Sequence, residues 1–167
     1  SLGSSHRWGL GVATRWRPDA ETDIALGVLF EDRFEASILP IPYIKATWRP
    51  CQYAEVELRA TGLQNGIIVR GFLTEDRATT VDLTVAYETL SFALTDGSYG
   101  SRAVAIGEVP IRIGVTQFLE KSGTWFVRGS AEWVAYARHS FKHDGETQGA
   151  FQPGAQWGLA ARVGARF

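Results

Sequence analysis

The sequence is short of cysteine, of net charge and of long apolar runs, and each shortage excludes a class of protein. The single cysteine among the 167 residues, Cys51, cannot form a disulfide within the chain. We predict that it is a turn residue without a chemical role, because no histidine or other activating group stands near it in sequence. The formal net charge of −1 gives no reason to expect nucleic acid as a partner. No run approaches the roughly 18 apolar residues of a membrane-spanning helix.

Apolar residues instead recur at every second position, which predicts β-strands. From Trp157 to Phe167, apolar side chains alternate with residues that are small or arginine. The segment 8–16 repeats the pattern, and seven further segments follow it, so we predict nine strands. The weakest is 66–73, which is apolar on both sides apart from Arg70.

Tryptophans stand at both ends of the apolar sides of these strands. Trp8 and Trp16 are eight residues apart, and Trp125 and Trp133 have the same spacing. At about 3.3 Å per residue and a tilt near 40°, this spacing covers roughly 20 Å, close to the apolar band of a membrane barrel. We therefore predict apolar residues that face lipid; a soluble, lipocalin-like barrel with its apolar side chains inside is the alternative. The predicted aromatic girdle comprises Trp8, Trp16, Trp48, Trp125, Trp133, Trp157 and Phe167.

The predicted connections broadly alternate between short and long, as in barrels with one periplasmic and one outer rim. The longer ones are loops over 32–37, 94–102 and roughly 139–156. Nine strands would run the first and the last in the same direction, whereas single-chain bacterial barrels have even strand numbers. We therefore expect one domain over 1–167, an all-β, antiparallel, up-and-down transmembrane barrel of about ten strands when complete, with an N-terminal strand lacking from this chain. Eight strands, without 66–73, is the alternative.

Charged residues alternate with the predicted lipid-facing side chains, and we expect them in the lumen. A barrel of eight to ten strands has an interior that side chains can largely fill. Arginine and carboxylate can pair there bidentately, which predicts a salt-bridged plug. A narrow channel whose arginines favour small anions is the alternative. The predicted luminal charges are Arg15, Lys45, Glu55, Glu57, Arg59, Arg112, Arg128, Glu132 and Arg162.

His139 and Ser140, with His143, Asp144 and Glu146 nearby, supply the residue types of a serine hydrolase. Adjacent residues of a strand point to opposite faces, so His139 and Ser140 cannot meet if the strand persists there. We predict a solvated loop without a catalytic residue; a lipid-modifying hydrolase is the third candidate function. We expect no metal site, because aspartate, glycine and threonine in this segment predict a loop rather than a helix with two histidines on one face. We also expect no cofactor.

The last five residues, Val163-Gly164-Ala165-Arg166-Phe167, resemble the C-terminal signal of Gram-negative outer-membrane barrels. This resemblance implies a place in the bacterial outer membrane, contact with its lipid, and recognition of the strand ending at Phe167 by the barrel-assembly machinery. The segments Leu39-Pro40-Ile41-Pro42 and Ala46-Thr47-Trp48-Arg49-Pro50 are similar to a class of uncharacterised outer-membrane barrels, which implies no activity. The expected function is that of a structural or interaction protein with a plugged lumen and an unknown ligand, and a porin-like pore is the second candidate.

Overall fold

The chain folds into a single antiparallel sheet. The computed structural model describes residues 9–33, 36–61, 64–93, 103–120, 124–143 and 146–165. Among these residues, no helix is long and apolar enough to cross a membrane. The strands of the described ranges are β1 (Gly9–Trp16), β2 (Thr22–Arg33), β3 (Ala36–Cys51), β4 (Ala54–Ala60), β5 (Gln64–Phe72), β6 (Thr79–Ala93), β7 (Ala103–Phe118), β8 (Trp125–His143), β9 (Glu146–Phe151) and β10 (Gln156–Ala165).

The strands follow one another in up-and-down order. Each strand from β1 to β8 pairs with the next, and both β9 and β10 pair with β8. Phe151 at the end of β9 lies opposite His139, and Gln156 at the start of β10 lies opposite Val134. β9 and β10 therefore occupy one strand position, interrupted at 152–155, where Pro153 cannot donate to a ladder. The predicted all-β, up-and-down architecture is confirmed.

The strands extend over several segments for which the sequence left a strand in doubt or predicted a loop. The weakest predicted strand, 66–73, corresponds to β5, so the alternative of eight strands is wrong. The predicted loop over 139–156 is also wrong, because β8 continues to His143 and β9 runs back along it. Aromatic rings support this hairpin, since the ring centroid of Phe151 lies 4.9 Å from that of His139 and 6.2 Å from that of Phe141. The predicted loop over 32–37 is too long, because β2 continues to Arg33 and β3 begins at Ala36. The predicted loop over 94–102 lies outside the described residues.

The two faces of the sheet differ in chemistry and in exposure. The apolar face carries side chains such as Leu10 and Val163, which are 64% and 73% exposed. The charged face holds Glu57 and Asp82, which are only 3% and 6% exposed. The described residues form one sheet without a second layer to cover that face. The charged face is therefore buried because the sheet curls around it.

Gly66 and Gly27 mark positions where the curl is tight. A Cβ atom on Gly66 would lie 2.4 Å from the carbonyl oxygen of Val85 and 2.6 Å from the Cα atom of Ala86, both on the neighbouring β6. A Cβ atom on Gly27 would lie 2.2 Å from the carbonyl oxygen of Val12 on β1. Both glycines alternate in phase with the charged face. Only glycine allows the neighbouring backbone to bend over that face at these positions.

β1 and β10 are the two edges of the sheet. With both edges counted, nine strands lie on the hydrogen-bonded path from β1 to β10, and each is antiparallel to the next. β1 and β10 therefore run in the same direction. No hydrogen-bonded ladder joins them within the part of the chain that the structure describes. The further N-terminal strand that the sequence analysis expects remains a prediction.

Candidate functional site

The charged face carries a network of ion pairs that begins on β3, β4 and β5. Glu55 and Glu57 stand two residues apart on the same side of β4, roughly 7 Å along the strand. Arg70 on β5 bridges them, because its Nη1 donates to Glu55 Oε1 at 2.6 Å and to Glu57 Oε2 at 3.0 Å. Arg49 Nε donates to the second oxygen of Glu55 at 2.9 Å. One guanidinium thus offsets the repulsion between the two carboxylates.

Glu57 is the most enclosed carboxylate of the network, with a side chain that is 4% exposed. Three cations surround it: Arg70, Arg59, whose Nε donates at 2.8 Å, and Lys45, whose Nζ lies 3.9 Å away. Removing an ionised carboxylate from water costs several kcal/mol unless partners satisfy its oxygens. The three cations supply those partners.

A glutamine on β5 links this cluster to charged residues on β6, β7 and β8. Gln64 accepts a hydrogen bond from Arg59 Nη1 at 2.8 Å and donates one to Glu88 Oε1 at 2.7 Å. Glu88 in turn receives both Nη atoms of Arg112, at 2.5 Å and 2.8 Å. Arg112 Nε donates to Glu132 on β8. Hydrogen bonds between side chains therefore run without a break from β4 to β8.

Arg128 reaches across β7 to pair with a strand that is not its neighbour. Its Nη2 donates to Asp82 Oδ2 on β6 at 2.8 Å, and its Nη1 donates to Asp82 Oδ1 and, at 2.9 Å, to Thr116 Oγ1. Gly114 of β7 lies directly below the guanidinium, and a Cβ atom there would be 2.2 Å from Arg128 Nη2. Glycine at this position therefore clears the path between Arg128 and Asp82.

A separate group of ion pairs lies on β1 and β2. Arg15 Nε donates to Asp23 Oδ1 at 2.7 Å, and Arg17 Nε donates to Asp23 Oδ2 at 3.1 Å. Both arginines are more than half exposed. Exposed pairs of this kind contribute little to stability, so this group is secondary to the network on β4 to β8.

The structure brings together eight of the nine predicted luminal charges in ion pairs on the charged face. The ninth, Arg162 on the edge strand β10, lies opposite Arg128 and has no ion-pair partner among the described residues. Seven residues that take part in these ion pairs and links are not among the predicted luminal charges. Alternation along the strands places most of them on the charged face, but pairing partners depend on sheet register. These seven residues are Arg17, Asp23, Arg49, Gln64, Arg70, Asp82 and Glu88.

The apolar face carries the predicted aromatic girdle as far as it is described. Trp133 and Trp157 lie opposite each other on β8 and β10, and their rings stack with centroids 6.1 Å apart. Trp16, Trp48 and Trp125 are exposed; Trp16 ends β1, Trp125 begins β8, and Trp48 lies three positions before the end of β3. Trp8 and Phe167 lie outside the described residues.

The candidate hydrolase residues do not assemble. Ser140 Oγ donates to the carbonyl oxygen of Ala105 at 3.2 Å. His139 lies on the opposite face of β8, where its Nε2 is 4.0 Å from a carboxylate oxygen of Glu108. No contact between a serine nucleophile and a histidine base is present in this pair. Asp144 lies outside the described residues.

Two cavities remain beside the network on the charged face. One, of about 300 Å³, lies along β1 to β3 and is lined by Arg15, Lys45 and Arg49 among others. The other, of about 370 Å³, lies along β7 to β10 and includes Arg112 and Arg162 in its lining. Cations outnumber carboxylates in both linings. The network is therefore suited to holding strands together, and these two spaces are suited to water or small anions.

Comparison of the chain with protein-family models, with curated proteins and with solved structures found no match. The functional proposal therefore rests on the geometry of the two faces.

We expect Arg128→Met to lower the free energy of unfolding by about 3–5 kcal/mol, because Asp82 then stays buried without its cation. The double variant Arg128→Met with Asp82→Asn removes both charges and should recover most of that loss. Urea titration of the folded protein measures each variant. Arg17→Met, at an exposed arginine, is the control and should change stability by no more than about 0.5 kcal/mol. If the double variant lost as much stability as Arg128→Met and Asp82→Asn lose together when measured singly, the pairing would be contradicted.

Proposed function

We propose that this chain is a β-barrel protein of the bacterial outer membrane, of structural or interaction type. Its apolar face contacts lipid acyl chains, and its charged face lines a lumen plugged by the ion-pair network. Recognition of the strand that ends at Phe167 by the barrel-assembly machinery is part of this proposal and rests on the resemblance of the last five residues.

The observation that carries the proposal is the reversal of the usual burial pattern. In a soluble barrel such as a lipocalin, the apolar side chains would fill the interior and the charges would face water. Here the large apolar side chains are exposed. Moving a fully exposed side chain of this kind from water into hydrocarbon is favourable by about 1.5–3 kcal/mol, and each of these side chains gains in proportion to its exposed area. Exposed apolar residues of this kind include Leu26, Val28, Leu58, Ile67, Val69, Leu83, Val85, Ile113, Val115, Val127 and Leu159.

The spacing of the tryptophans supports a membrane as the surroundings of the apolar face. On β8 and β10, the Trp133–Trp157 pair lies at one end, and Trp125 lies opposite Ala165 at the other. The spacing of eight positions from one row to the other corresponds to roughly 20 Å along the axis of a tilted strand, close to the apolar band of membrane barrels. Tryptophan is enriched at both membrane–water interfaces. This favours a bilayer as the medium around the apolar face.

The ion-pair network supports a plug rather than an open lumen. Its side chains fill the space beside β4 to β8 and satisfy one another there, as the interiors of small barrels are filled. A plug of this kind fixes the register of neighbouring strands. The protein would then act through its surface, as a structural or binding element.

Glutamate substituted at two adjacent alanines of β10 tests the medium on each face. Ala161 lies opposite Gly129, midway between the tryptophan rows, on the apolar face, and Ala160 lies on the charged face beside Arg162. In phospholipid vesicles, Ala161→Glu should lower the free energy of unfolding, by less than the about 2–4 kcal/mol that arginine costs at mid-bilayer. Ala160→Glu places a carboxylate among cations and should not destabilise the protein. Reversible urea unfolding from vesicles measures both. Equal tolerance of the two variants would contradict contact between the apolar face and lipid.

A narrow pore is the second candidate function, and the cation-rich cavities on the charged face favour it. Recording from the purified protein in planar bilayers separates the two candidates. The plug predicts no discrete conductance steps, and replacing both Glu88 and Arg112 by serine, which removes a bidentate pair, should allow them. Anion-selective steps from the unaltered protein would replace the plug by the pore.

A further inference from the structure

β6, β7 and β8 extend beyond the row that contains Trp133, and their ends form a groove on the apolar face of the sheet. We call it the β7 groove: Ala105 and Gly107 of β7 line its floor, Tyr87 of β6 stands on one side, and Tyr136 and Arg138 of β8 stand on the other. Its volume is about 500 Å³. Small residues on the central strand and large ones on both flanking strands create this shape.

Close contacts in the structure define the floor of the β7 groove. A Cβ atom on Gly107 would lie 2.7 Å from the Tyr87 hydroxyl, so the tyrosine lies against the glycine. Gly107 is paired with Thr89 on one side and with Arg138 on the other, which places both side chains at the same level. Ser140 is fixed by its hydrogen bond to the Ala105 carbonyl oxygen at 3.2 Å. The groove is therefore a defined feature of three paired strands.

The lining of the β7 groove is suited to an anion. Arg138 is exposed and has no ion-pair partner among the described residues, and Lys142 lies farther along the same side of β8. The remaining polar side chains of the lining carry hydroxyl groups, and none of the described lining residues is a carboxylate. Glu108, the nearby acid of β7, belongs to the charged face, where it contacts His139. The Arg138 guanidinium, with the hydroxyl groups of Tyr87 and Tyr136 on the two sides of the groove, matches the oxygens of a phosphate.

The surface next to the β7 groove is apolar. Val85, Ile111 and Trp133 form one row across β6, β7 and β8, because each lies opposite the next in register. A ligand with its anionic end at Arg138 would meet this row with the rest of its length. Cationic and apolar surfaces in this order match an amphipathic molecule, with a phosphate at one end and acyl chains at the other.

We propose that the β7 groove binds the phosphate of an anionic membrane lipid, whose acyl chains lie along the apolar face. This inference rests on the proposed function, because it needs the apolar face to contact acyl chains. Tyr87 and Tyr136, on the two sides of the groove, suit this position, since tyrosine is enriched where a protein surface passes from hydrocarbon to water.

Native mass spectrometry of the folded protein, released from mixed micelles, tests the proposal with phosphatidylglycerol as the probe and phosphatidylcholine as the neutral reference. We expect phosphatidylglycerol to be retained preferentially. Arg138→Gln should weaken its binding about tenfold, as expected for the loss of a charge-assisted hydrogen bond. Gly107→Ala, which retains every charge and adds a methyl group to the floor, should weaken it as well. Arg77→Gln, in the turn between β5 and β6, removes a cation outside the groove and should leave binding unchanged.

Three results would overturn the lipid proposal: no preference for phosphatidylglycerol, equal weakening by Arg77→Gln, or displacement of the lipid by inorganic phosphate at comparable concentration. The last result would assign the groove to a free anion. Failure of the proposed function is distinguishable, because it would appear as equal tolerance of the Ala160→Glu and Ala161→Glu variants in vesicles. A protein that passes the alanine test and retains no phosphatidylglycerol would keep its proposed function and lose this site.

Discussion

The rest of the structure depends on the burial of carboxylates on the charged face. Glu57 and Asp82 are almost withdrawn from solvent, and each would cost several kcal/mol there without a cation. Arg70 on β5 supplies the cation for Glu57, and Arg128 on β8 supplies the cation for Asp82 by reaching across β7. Because side chains alternate with a period of two, a slip of one residue would move these partners to the other face. The ion pairs therefore fix the register of the sheet, which in turn decides which side chains face outward.

The apolar face follows from the same constraint. With the charges on one side, residues such as Leu83 and Val85 are left on the other, and the tight approach of β6 at Gly66 curls the sheet toward the charges. A surface of exposed leucine, valine and tryptophan needs an apolar medium or a partner. We propose lipid as that medium, because the tryptophan spacing is close to the apolar band of membrane barrels. The β7 groove lies where this surface changes from apolar residues to hydroxyls and cations, so the proposed lipid site is a continuation of the proposed lipid contact.

The sequence was sufficient to predict nine of the ten described strands and their two faces, because alternation is a local signal. It identified even the weak strand at β5. It was not sufficient for the pairing: the Arg128–Asp82 contact depends on Gly114 of the strand between them, and the link through Gln64 depends on the register of β4, β5 and β6. The hairpin of β8 and β9 was missed, because its glycine and threonine predict a loop while the contact of Phe151 with His139 that supports it is not local.

The central claim is that the apolar face contacts acyl chains while the charged face is shielded from them. Nitroxide labels placed singly along β6, at positions 81–86, test it most directly through their collision rates with oxygen and with a water-soluble nickel complex in phospholipid vesicles. We predict a period of two, with labels at Leu83 and Val85 exposed to membrane-dissolved oxygen and labels at Asp82 and Thr84 protected from it. Collision with the nickel complex that is highest at Leu83 and Val85 would contradict the account, since those side chains would then face water.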